Sequence, residues 1–174
     1  MRGRSGPRAP SPAVFAASLL KVGVVITVNR SLPETPLWRR AMLDWAAHLA
    51  TTSLALDAAR VRSRPLRRSA LVAAVLIDAD HIPDAVLGWG VLTRRSARPF
   101  THSILTIAAI VSVRRCLAPR RAADREMLDG VAFGLATHLL RDVTDGTAGA
   151  PLLWPLRRRS VRFNPALFSP RTGR

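Results

Sequence analysis

The sequence predicts an all-α protein, a helical bundle, on three observations. Alanine, leucine and valine supply much of a 48% apolar content, while aromatic residues make up 5% and tyrosine is absent. That mixture favours helices over strands. No alternation of apolar and polar residues, the mark of a half-buried strand, persists anywhere. Apolar runs are also bracketed by helix-start and helix-stop chemistry along most of the chain. At 174 residues the chain is one domain by length, large enough to bury a core.

Residues 1–12, MRGRSGPRAPSP, are basic and proline-rich and are expected to be disordered. Residues 13–28 are apolar apart from Lys21 and follow that basic stretch as a signal or anchor would. No small-x-small cleavage site falls in the expected place. Residues 1–41 therefore read as a membrane anchor or as an extension upstream of a misassigned start, with Met42 as the alternative start.

Thr35 and Pro36 supply an N-cap and a first-turn proline for a helix running to about Ala59. A second helix is expected from about Arg68 to Ile82, stopped by Pro83, and a short third over residues 85–92. Thr101 is a good N-cap for a fourth, ending near Leu117. The fifth runs from about Ala122 to Asp145, with Gly146 as its C-terminal cap. Gly130 and Gly134 on that helix form a small-xxx-small pattern that lets a neighbour approach closely. The main domain is expected over residues 42–156, followed by a basic, irregular tail over 157–174.

The formal charge of +16 invites a nucleic-acid reading. Against it, Lys21 is the sole lysine, and the arginines cluster at segment ends, as at Arg94-Arg95 and Arg114-Arg115. Clusters that bracket apolar runs suit a protein lying in or against an anionic membrane, with lipid rather than nucleic acid as the partner. Trp38, Trp45, Trp89 and Trp154 lie near segment ends, as interfacial anchors or as core. The longest charge-free run, Pro99 to Val113, is shorter than the ~20 residues of a full span. Two alternatives stand: core helices of a soluble bundle, or membrane helices whose polar residues form a site. Cys116 is the only cysteine, which excludes an intramolecular disulfide, and is expected to be a buried structural thiol.

The four histidines carry the chemistry. His48 follows Asp44 by one turn in DWAAHLA, and His138 precedes Asp142 by one turn in THLLRD. An imidazole and a carboxylate four apart share a helix face and can serve one divalent metal. IDADHIPD places Asp78, Asp80, His81 and Asp84 within seven residues at a helix end, where carboxylates oppose the helix dipole. Such a cluster needs a cation among them, either arginine or a metal. His102 begins the fourth helix in RPFTHSILT. Each alone is more simply a core histidine or an ion pair; together they make the inventory of a one- or two-metal centre. Ser103 sits on no strand-to-helix elbow and Cys116 has no nearby base, so nucleophilic catalysis fits less well.

The motif order MLDWAAH, LIDADHIPD, RPFTHSIL and GLATHLLRDVTDGTAGAPLLWPL resembles the YdjM-like family of membrane-bound metal-dependent hydrolases over about residues 42–156. That family is similar in its helical motifs to zinc-dependent phospholipase C. The resemblance implies a helical bundle in the bacterial inner membrane, with a cytoplasmic location as the alternative. It implies hydrolysis of a small-molecule or lipid ester or phosphoester, and carries the metal ligands onto His48, Asp78, Asp80, His81, His102, His138 and Asp142. Zinc is the expected metal, with manganese and magnesium as alternatives. An unligated carboxylate, Asp80 or Asp145, would act as general base, and Arg98 or Arg141 would clamp an anionic substrate. Where the family often reads His-Arg-Gly before Thr-His-Ser, this chain has Ala97, Arg98 and Pro99, so one candidate histidine is missing. A non-catalytic membrane protein with a structural or sensory metal site is the rival expectation.

Overall fold

A computed structural model describes residues 37–82, 98–116, 121–144 and 149–162, with helical positions at 16, 17, 20, 21 and 23. The elements are α1 (Leu37–Ala58), α2 (Arg64–Leu76), a 3₁₀ turn (Ile77–His81), α3 (Ile104–Cys116) and α4 (Ala122–Thr144). The fold is all-α, and among the described residues the only β pairing is an isolated antiparallel bridge between Ala150 and Val161. The helix expected over 85–92, the Gly146 cap, Asp84, Asp145 and Trp89 lie outside the described residues.

α1 ends where the sequence predicts, although no glycine marks the place. Arg60 takes a left-handed φ of 54°. Its N–H then reaches the Asp57 carbonyl and that of Val61 reaches Leu56, both at 3.0 Å, closing the last turn. Beyond this cap, α2 starts four residues ahead of its predicted start. Ser63 caps it, accepting from the Leu66 N–H at 3.3 Å, and Pro65 fits the first turn. The same hydroxyl donates to Glu126 on α4 at 2.6 Å. α2 also stops short of Ile82, tightening into the 3₁₀ turn from Ile77. Three residues per turn then bring Asp78 and His81 onto one edge.

α2 and α4 pack at very close range, as the glycine spacing predicts. A Cβ on Gly134 would lie 2.1 Å from the Ala70 carbonyl oxygen, and one on Gly130 would lie 2.3 Å from that of Leu66. The facing residues on α2 are small too, with Ala70, Ala73 and Ala74 buried. α1 joins them through a buried hydroxyl pair, Thr52 to Thr137 at 2.7 Å. Lys21 reaches the far end of α1, donating to Ser53 at 2.6 Å and pairing with Asp57 at 2.8 Å. Asp57 also takes Arg67 from α2 at 2.8 Å.

α3 departs from expectation in two ways. Thr101 does not cap it; its hydroxyl bonds the Asp80 carboxylate instead, so the helix opens at Ile104 and His102 stands ahead of it. Cys116, expected to be buried, is exposed, because α3 buries none of its residues. Trp154 packs against Phe100 with ring centres 4.8 Å apart, whereas Trp45 is 40% exposed. Among the described residues no helix is long and apolar enough to cross a membrane.

Candidate metal centre

Four segments deliver the predicted histidines to one place. α1 brings His48, the 3₁₀ turn brings Asp78 and His81, the turn before α3 brings His102, and α4 brings His138 and Asp142. Three overlapping groups could each hold a metal ion: His48, Asp78 and His138; Asp78, His81 and His102; and His102, His138 and Asp142. His48, His102, His138 and Asp142 are fully buried. His81, at 34% side-chain exposure, is the most open of the six.

The tightest convergence involves four atoms. His138 Nε2 lies 3.2 Å from Asp142 Oδ2 and 3.5 Å from Asp78 Oδ1. His102 Nε2 lies 3.5 Å from Asp78 Oδ1 and 3.7 Å from Asp142 Oδ2. Ligands about 2.1 Å from one tetrahedral ion stand roughly 3.4 Å apart, so these four imidazole–carboxylate spacings match those around a zinc-sized ion, and His102, His138 and Asp142 form one of the three groups that could hold it. None of the four atoms has a hydrogen-bond partner, nor has Asp78 Oδ2, while Asp142 Oδ1 lies 3.0 Å from Arg98 Nη2. Buried polar atoms rarely go unsatisfied, and here they face each other.

A backbone carbonyl fixes which nitrogen His138 offers. His138 Nδ1 is 2.7 Å from the Ala74 carbonyl oxygen, which can only accept. Nδ1 therefore carries the proton and Nε2 presents its lone pair to the carboxylates. The close approach of α2 to α4 makes this bond reachable. Asp80 stands behind His102, with Oδ2 at 3.4 Å from Nδ1, and is held there by the Thr101 hydroxyl. Asp80 thus lies beside the other ring nitrogen of His102, outside the four convergent atoms.

His48 sits at the edge of the centre. Its ring stacks on His138 at 3.7 Å, and Nε2 accepts from Arg141 Nη1 at 3.1 Å. Burial first, with the nearby Arg141 charge, pushes its pKa down against the upward pull of Asp44. Arg141 itself pairs with Asp44 at 2.7 Å, and Arg98 pairs with Asp142 at 3.0 Å. Both guanidinium groups predicted to bind substrate are thus bonded to the cluster's own carboxylates. Asp44 was not among the predicted site residues; its spacing one turn before His48 is the sign of it in the sequence.

Charge also favours a cation. Asp44, Asp78, Asp80 and Asp142 face Arg98 and Arg141, leaving two negative charges when the imidazoles are neutral. Burial raises the Asp142 and Asp78 pKa values, but the histidines around them, with Arg98 at Asp142, hold both below the usual carboxylate range. For His102 burial works downward, yet Asp78, Asp80 and Asp142 raise it to about 9. In the metal-free protein a proton on His102 takes part of the charge that a divalent ion would neutralise.

A helical bundle enclosing a His/Asp cluster able to bind metal defines the class of this protein. Residues 42–172 match the family described as YdjM inner membrane protein, and the chain belongs to that family. The match begins at Met42 and runs into the basic tail. The chain is 32% identical over 113 residues to the inner membrane protein YdjM of Escherichia coli K12, and equally to that of Shigella flexneri. These alignments cover 60% of this chain and 55% of each relative, so the chain spans about half the length of the curated relatives it matches. No solved structure matches. Membership agrees with the inner-membrane location that the sequence resemblance implies.

Proposed function

We propose that the chain is a metal-dependent hydrolase of the bacterial inner membrane, acting on an ester or phosphoester of a small molecule or lipid. The observation behind this reading is the convergence of His102 Nε2, His138 Nε2, Asp78 Oδ1 and Asp142 Oδ2, whose four imidazole–carboxylate distances run from 3.2 to 3.7 Å and which have no other hydrogen-bond partner. Two imidazoles and two carboxylates suit zinc first, with manganese or magnesium as alternatives. Held by three of these four groups, with the remaining position open, a divalent ion would supply Lewis-acid polarisation of the ester and a water acidified to near neutral pH.

The residues around it position and balance. Ala74 sets the tautomer of His138, Asp80 stands beside Nδ1 of His102, and Arg98 and Arg141 offset Asp142 and Asp44. His81 marks the open side, where a reactant would arrive. Asp80 Oδ1 is 3.9 Å from His81 Nε2, which makes it the described carboxylate best placed to take a proton from that side. Asp145 is the other candidate base, and His48 and His81 are candidates for a second ion. Arg98 would be the guanidinium to turn toward an anionic substrate, since its partner Asp142 would then be shared with the metal.

The burial of His102, His138 and Asp142 favours a second reading, a structural or sensory metal site without turnover. Elemental analysis of the purified protein, with His102→Ala and His138→Ala alongside, tests the shared site. Stoichiometric metal lost in both variants supports the ligand set, and a metal-free wild type that cannot be reconstituted removes it. Zinc-dependent cleavage of nitrophenyl esters or phosphoesters then separates the hydrolase from the structural site.

A further inference from the structure

α3 is apolar on the side that a helix on a water-facing bundle would make polar. Such a helix turns its polar residues outward and its apolar stripe inward. The outward positions of α3 are Ile104, Leu105, Ala108, Ala109, Ser112 and Val113, and only Ser112 among them is polar. Ile104 is 51% exposed, Leu105 48% and Val113 40%. These positions recur at the helical period and cover about half of the circumference. The opposite side leans on α4, where Arg114 Nη2 donates to Asp129 at 3.0 Å.

The charged residues of α3 are confined to its last turn, Arg114 and Arg115. Arg114 is committed to Asp129, while Arg115 points to the exterior. On the opposite end, the Thr106 hydroxyl returns its proton to the Thr101 carbonyl at 2.6 Å, so it demands nothing from the surroundings. An outward face that is apolar but for Ser112 and ends in an arginine meets the requirements of hydrocarbon bordered by anionic headgroups. From Ile104 to Val113 the face is about 15 Å long, roughly one leaflet of a ~30 Å hydrocarbon core.

We infer that α3 is an element by which this protein meets its membrane: the outward face lies among acyl chains of one leaflet, with Arg115 at headgroup level. The occupant of the face is lipid, which fits the chain's inner-membrane family and the arginine at the end of the stripe. His102 lies two residues before Ile104, so the candidate metal centre adjoins the embedded end of the helix. The inference rests on the inner-membrane half of the proposed function and not on its chemistry.

Cys116 makes the test direct, because it is the only thiol and is exposed beside Arg115. The full chain, reconstituted into phosphatidylethanolamine–phosphatidylglycerol vesicles, is spin-labelled at Cys116. Further labels go to Leu105→Cys, Ala109→Cys and Val113→Cys in a Cys116→Ser background, each at an exposed position where the fold is not at stake. Collision with oxygen reports lipid and collision with a polar nickel chelate reports water. Oxygen should dominate at 105 and 109 and yield to nickel by Cys116. Nickel access at 105 and 109 would overturn the inference, as would shielding from both probes, which would mean that protein, a second copy included, covers the face. Equal nickel shielding at Cys116 would overturn the headgroup level of Arg115. Flotation of the vesicles separates the two ideas. Protein that floats with water-accessible α3 labels keeps its membrane and loses only this assignment, whereas protein that never floats loses the membrane reading itself.

Discussion

Gly134→Ala should destabilise the protein and disturb its metal centre, although glycine is a poor residue for a helix interior. By helix propensity alone the change would add about 1 kcal/mol of stability. The packing says otherwise, because the new methyl would sit 2.1 Å from the Ala70 carbonyl oxygen. To reach an ordinary 3.4 Å contact, α2 and α4 must part locally by roughly 1.3 Å. Overpacking of this kind costs about 1–3 kcal/mol. One turn further along the same two helices, His138 Nδ1 meets the Ala74 oxygen at 2.7 Å. Parting by that amount would stretch the bond to about 4 Å, beyond hydrogen-bonding range, at a loss of about 1 kcal/mol. The net is a loss of about 2 kcal/mol, or a fall in Tm of roughly 4–8 °C for a chain of this size. Thermal denaturation of the variant, with metal stoichiometry measured alongside, checks both consequences. Gly23→Ala is the control: nothing lies within 4 Å of a Cβ there, so its Tm should hold or rise. A Gly134→Ala protein that gained stability and kept its metal would refute the close-packing account.

Two further outcomes follow from charge. Asp57 is depressed by Lys21 and Arg67, which outweigh the upward push of burial, so its contribution is in place above the unfolded value of 3.8 and lost as pH falls through the lower folded value. The Tm difference between wild type and Asp57→Asn should therefore be present near neutrality and vanish in acid; a difference that grows on acidification contradicts the sign. At His102, whose pKa is raised to about 9, a metal entering near pH 7.5 must displace a proton. Zinc titrations in buffers of different ionisation enthalpy should show proton release and weaker binding as pH falls, and equal heats in all buffers would exclude His102 from the ligands.

Local periodicity explains how much of the site could be read in advance. His138 and Asp142 face one way on any α-helix, because four residues make about one turn. Asp78 and His81 end on a common edge for the related reason that a 3₁₀ turn repeats every three residues, although the 3₁₀ winding itself was not foreseen. Thr101 shows where local reasoning fails. A threonine before an apolar run is a good cap by every local criterion, yet its hydroxyl is taken by Asp80, 21 residues earlier in the chain. Cys116 fails in the same manner, since burial depends on which helix faces lie against others and α3 keeps that face open.

The sequence by itself determined the all-α class, the glycine faces that let two helices touch, and the His/Asp pairs, all properties of spacings within a few residues. Only the tertiary structure decided the division of labour among them. It set His138 against the Ala74 carbonyl, drew Asp80 behind His102, bound Arg141 to Asp44 and His48, and left Arg98 on Asp142. These contacts join residues as far apart as 97 positions in the chain, Arg141 to Asp44. No local repeat encodes such a pairing; the His138–Ala74 contact likewise exists because α2 and α4, meeting without side chains between them, bring their backbones close enough for an imidazole to reach a carbonyl.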